Sequence, residues 1–80
     1  MTGADIHPTA VISPKARIGE GVLIGPYSIV DEGARVGDGT VIEAFVHLTS
    51  WVDVGSNCHI FEHAVLAHMP VLRYLNNLVA

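Results

Sequence analysis

The chain has 80 residues, a formal net charge of −4, 15% charged and 50% apolar residues, where a typical soluble domain carries about 25% charged. A single domain this short has little stability to spare, and its apolar excess predicts apolar surface left outside the core, as in an oligomer. The four basic residues, Lys15, Arg17, Arg35 and Arg73, are scattered in sequence and exclude a nucleic-acid footprint.

Met1 to Pro8 shows no basic segment followed by an apolar one, and no uncharged apolar run nears the roughly 18 residues that span a bilayer, so a cytoplasmic chain without a membrane span is expected. From Ile6 onward an aliphatic residue returns at every sixth place: Ile12, Ile18, Ile24, Val30, Val36, Ile42, Leu48, Val54, Ile60, Leu66, Leu72 and Leu78. A helix repeats near 3.6 residues and a strand at 2, so a strict period of six predicts a parallel β-helix of hexapeptide repeats. Two residues before each aliphatic runs a second column of small or β-branched side chains: Ala10, Ala16, Val22, Ser28, Ala34, Thr40, Val46, Val52, Cys58 and Ala64. These fit a tight corner beside the large inward residue. Cys58 is the only cysteine, which rules out an intrachain disulfide, and its place in this column predicts a packed thiol.

With the aliphatic residue as position one, Gly19, Gly25, Gly37 and Gly55 fall at position two, while Gly21, Gly33, Gly39 and Asn57 fall at position four. Gly and Asn tolerate positive φ, so position four is the expected left-handed corner between short strands. Pro8, Pro14 and Pro26 stand at position three, where a fixed φ suits a bend. Three hexads per turn, the geometry that resemblance to hexapeptide-repeat proteins implies, would make a triangular prism of about four coils, in which residues eighteen apart stack about 4.8 Å above one another. The residue before each aliphatic then points outward, giving an apolar column of Val11, Ile29, His47 and Val65, a second of Leu23, Val41 and His59, and a charged third of Arg17, Arg35 and Asp53. Two apolar faces and one charged face are the pattern expected of a homotrimer.

After Leu66 only the aliphatic spacing persists. Val71, Leu75, Leu78 and Val79 share a helical face behind Pro70, so residues 67–80 are expected to form a short irregular or helical tail, following an all-β prism over 1–66. Such a tail would cover the open rung.

The run Ile6-His7-Pro8-Thr9-Ala10-Val11, the rung Ile24-Gly25-Pro26-Tyr27-Ser28-Ile29-Val30, the segments Ile18 to Gly21 and Val36 to Ile42, and Ile60 to Leu66 together resemble the amino-terminal coils of the UDP-N-acetylglucosamine O-acyltransferase family of lipid A biosynthesis. The resemblance implies a left-handed coil, a trimer, and transfer of a 3-hydroxyacyl chain from acyl carrier protein to the 3-hydroxyl of UDP-N-acetylglucosamine, without a cofactor. It places the general-base histidine on a later coil, so no residue of this chain is assigned a catalytic role. Of the family's Gln-Asp-Leu-Lys-Tyr substrate loop, the nearest match is Val71-Leu72-Arg73-Tyr74, which implies substrate contact by Arg73 and Tyr74 and lacks the aspartate.

None of His7, His47, His59, His63 and His68 matches that base, and the three-histidine zinc spacing of the hexapeptide-fold carbonic anhydrases is not recoverable, so no metal ligand is assigned. Tyr27, Phe45 and His63, spaced by eighteen, predict an outer corner ladder at a subunit contact, with Trp51 as another anchor. Asp31, Glu32, Asp38 and Glu62 fall near turns with no partner visible in sequence. The expected function is that of a truncated acyltransferase-family member, inactive alone. The alternatives are a non-enzymatic trimerising module that joins full-length subunits, or a fragment of another hexapeptide acyltransferase.

Overall fold

The six-residue aliphatic column becomes the inside of a three-walled coil. In a computed structural model, residues 3–67 are described. They form eleven two-residue strands: β1 (Asp5–Ile6), β2 (Val11–Ile12), β3 (Arg17–Ile18), β4 (Leu23–Ile24), β5 (Ile29–Val30), β6 (Arg35–Val36), β7 (Val41–Ile42), β8 (His47–Leu48), β9 (Asp53–Val54), β10 (His59–Ile60) and β11 (Val65–Leu66). Strands three apart in sequence pair in parallel, giving a first face β1-β4-β7-β10, a second β2-β5-β8-β11 and a third β3-β6-β9. The result is a left-handed parallel β-helix with three complete coils and two strands of a fourth. Of the expected tail, all but Ala67 lies outside the described residues.

Register follows the predicted offset of eighteen: Leu23 pairs with Val41, Ile29 with His47, and Arg17 with Arg35. Each rung donates N–H groups to the next, as in Leu23 N–H to Thr40 O (3.0 Å) and Gly25 N–H to Ile42 O (2.8 Å). In each strand the second residue turns in and the first turns out, because successive side chains of a strand point to opposite faces. The core therefore contains Ile24, Val30, Val36, Ile42, Leu48, Val54 and Ile60 from the aliphatic column, and Val22, Ala34 and Val46 from the small one. Burial declines toward both ends. Ile6 is 38% exposed and Ile12, Ile18 and Leu66 are half-buried, since an end rung has a neighbour on one side only.

Two hydroxyls sit inside this core without cost. Ser28 Oγ donates to Glu43 O (2.7 Å) and accepts from Val46 N–H (3.1 Å), while Thr40 Oγ1 donates to Gly55 O (2.7 Å) and accepts from Cys58 N–H (3.1 Å). Each bridges to the rung eighteen residues later, so a buried polar group is fully paired. Cys58 itself departs from expectation: its thiol is exposed. Among the described residues no further rung stacks above it. Position two also acquires a reason. A Cβ on Gly25 would come within 2.8 Å of the Glu43 carbonyl carbon, so the coils approach too closely there for a side chain.

Among the described residues no helix is long and apolar enough to cross a membrane.

Candidate functional site

The corners decide what the prism presents. Position four is left-handed, as expected, at Gly21, Gly33, Gly39 and Asn57, and also at Tyr27 (φ 58°), Phe45 (φ 59°), Trp51 (φ 68°) and His63 (φ 68°). The left-handed region costs an L-residue about 1–2 kcal/mol. Sequence reasoning assigned that conformation only to Gly and Asn. The signal available was positional, because each of these four rings also stands three residues after an aliphatic-column member.

Three of them share the corner between the first and second faces. Tyr27 and Phe45 stack with centroids 5.3 Å apart and planes 15° apart, and Phe45 and His63 follow at 5.2 Å and 6°. Stacks of this kind contribute about 0.5–1.5 kcal/mol each, so the two offset part of the backbone strain at the three corners. Below the ladder Thr9 Oγ1 accepts the Tyr27 N–H (3.0 Å) and lies 2.8 Å from His7 Nδ1. The predicted ladder is therefore an aromatic ridge, flanked by Leu23 and Val41 on one face and Val11, Ile29 and Val65 on the other.

Each flanking face also carries one oriented imidazole. His47 Nε2 lies 2.8 Å from Asp31 Oδ2 on the second face, and His59 Nε2 lies 2.5 Å from Glu43 Oε2 on the first. His59 is further held by stacking on Phe61, centroids 4.3 Å apart. Asp31 thus has a partner that the sequence did not show. So has Asp38, whose Oδ1 accepts the Glu20 N–H at 2.9 Å. In both histidine pairs the acid stands sixteen residues earlier: one coil down, two places along. That offset is visible only once the eighteen-residue stacking is known. The four partners are 34–46% exposed, so each pair is worth at most about 1 kcal/mol and acts mainly to fix its ring.

An imidazole held by a carboxylate meets one requirement of a general base; the other is a substrate hydroxyl within reach. His47 and His59 stand on outward faces, one on each side of the ridge. His59 and His63, four apart in sequence, engage different partners, Glu43 and Phe45. Arg73 and Tyr74, the substrate contacts implied by resemblance, lie with His68 outside the described residues.

The third face is the charged one. Arg17, Arg35 and Asp53 form its outward column, and Trp51 stacks over Gly33 at its edge. The basic residues that look scattered in sequence are gathered here: Lys15, Arg17 and Arg35 line one cleft with Gly33 and Trp51.

This arrangement of two-residue strands, left-handed corners and eighteen-residue stacking defines a hexapeptide-repeat β-helix protein. Residues 33–68 match the family model of bacterial transferase hexapeptide (six repeats). The chain is 34% identical over 77 residues to the acyl-[acyl-carrier-protein]–UDP-N-acetylglucosamine O-acyltransferase of Rickettsia canadensis (strain McKiel), covering 95% of this chain and 29% of that relative. With the protein of the same name from Bartonella bacilliformis it shares 39% identity over 70 residues, covering 88% and 26%. The corresponding figures for Bartonella quintana are 36% over 70 residues, 88% and 26%. The chain spans less than a third of the length of these relatives.

Proposed function

We propose that this chain provides the amino-terminal β-helix coils of an acyl-ACP-dependent UDP-N-acetylglucosamine 3-O-acyltransferase of lipid A biosynthesis, in the cytoplasm, and that it assembles as a homotrimer. Its substrates would be UDP-N-acetylglucosamine and an acyl-[acyl-carrier-protein], the pair in the relatives' names, the acyl chain being the 3-hydroxyacyl group that the family resemblance implies. The observation that carries the assembly is the placement of the aromatic ridge between two apolar faces, opposite the charged face. In a three-fold assembly each prism turns one edge to the axis and meets a neighbour on both adjoining sides. Tyr27, Phe45 and His63 form that edge. The exposed Leu23, Ile29, Val11 and Val65 beside it supply the apolar contact that interfaces need.

The acyl-transfer step itself is not assigned to these 80 residues, because the family resemblance assigns the general base to none of their histidines. Arg73 and Tyr74 are the proposed substrate contacts. An acyl-transfer assay on the purified chain with both substrates tests this: no turnover is expected, and turnover would overturn it.

The same ridge and faces favour a second reading, a non-enzymatic module that joins full-length subunits. Native mass spectrometry after co-expression with a full-length relative decides between them. Mixed trimers support the module, whereas only unmixed species remove it.

A further inference from the structure

Three of the four Lys and Arg residues of this net-acidic chain meet on the third face, the one not used in the assembly proposed above. Arg17 and Arg35 are register partners on β3 and β6, about one strand spacing of 4.8 Å apart. Lys15 stands at the adjoining corner, where its carbonyl accepts the Gly33 N–H at 3.3 Å. Trp51 stacks over that glycine, and the five residues line an open cleft of about 410 Å³, within the range of small-ligand sites. Lys15, Arg17, Arg35 and Trp51 are all exposed.

The charge here is unbalanced. The acidic neighbours are Asp53, next after Arg35 in the outward column, and Glu32, beside Gly33. Neither forms an ion pair with these cations, since the ion pairs among the described residues are His47–Asp31 and His59–Glu43. Like charges directly opposite on neighbouring strands repel, and an anion between them would convert that repulsion into binding. Guanidinium forks present paired N–H donors that suit phosphate oxygens, with an ammonium adding a third charge. An indole also walls the cleft on one side.

We propose that this cleft binds a phosphate-type polyanion, Arg17 and Arg35 each engaging oxygens of one group and Lys15 a second, with Trp51 as the wall. Two linked phosphoryl groups match three cations spread over two rungs better than a single monoanion.

Trp51 is the only tryptophan, so its fluorescence reports the cleft directly. Sodium pyrophosphate would be titrated into the 80-residue chain at constant ionic strength, with sodium chloride as the matched control. The expected result is a saturable change with pyrophosphate and none with chloride. Arg17→Gln and Arg35→Gln should each weaken binding by about tenfold, the size of a lost charge-assisted contact. Arg17→Lys and Arg35→Lys should weaken it less. Far-UV circular dichroism verifies that these exposed-site variants keep the fold, and Lys15→Gln serves if one does not. No saturable change, an equal change with chloride, or unaltered affinity in the folded glutamine variants would overturn the proposal.

Discussion

Trp51 lies over Gly33, one coil below, so closely that a Cβ on Gly33 would come 2.7 Å from Cδ2 and Cζ3 of the indole. Both residues are left-handed, at φ 68° and 78°. The corner holds its tryptophan only because the residue beneath has no side chain. Gly33→Ala meets two penalties, the left-handed backbone and the clash, and should lower stability by about 2–4 kcal/mol. Denaturant unfolding followed by circular dichroism measures the loss. In a Trp51→Gly background the clash share should vanish and about 1–2 kcal/mol remain; an unchanged cost there would mean the indole is not the obstacle.

The ridge should separate folding from assembly. Phe45→Asn relieves the cost of a left-handed aromatic but forfeits two stacks, terms of similar size, so chain stability should change by less than about 1 kcal/mol. Its effect should fall on self-association, read by sedimentation equilibrium, as a weaker trimer. Equal association by Phe45→Asn and the parent would remove the ridge from the interface.

Charge placed on the flanking faces makes the same point by another route. Ile29→Lys and Val41→Lys should abolish the trimer, because an unpaired charge is costly at an interface core. Arg35→Lys, on the third face, should leave the trimer intact in the same sedimentation experiment.

Ser28→Ala removes a hydroxyl bonded to both Glu43 O and Val46 N–H. Leaving those backbone groups without it should cost about 1–3 kcal/mol. Thr40→Val, which keeps the shape and loses the equivalent pair of bonds, should cost as much despite its greater hydrophobicity. Thermal melts of the two variants test this, and a stabilised Thr40→Val would refute it.

The surface histidine pairs are expected to matter little for folding. Asp31→Asn and His47→Gln, alone or together, should each change stability by no more than about 1 kcal/mol. A double-mutant cycle on denaturant midpoints isolates the pair; a coupling well beyond that size would mean the pair is buried in the assembled protein.

The sequence alone settled the period, the inward column and the sorting of outward residues into three faces. Leu23 over Val41 and Ile29 over His47 could be written down before any coordinates, because three hexads per turn, the geometry implied by the resemblance to hexapeptide-repeat proteins, set stacked residues eighteen apart. It also placed the left-handed corners, through Gly21, Gly33, Gly39 and Asn57. Proximity between coils was left to the tertiary structure. Only the stacked rungs show that Asp31 meets His47 and Glu43 meets His59, that Cys58 is uncovered, and that Lys15, Arg17 and Arg35 share a cleft. A repeat pattern dictates which way each side chain points, whereas ion pairs, exposure and charge clustering depend on what the next coil sets beside it.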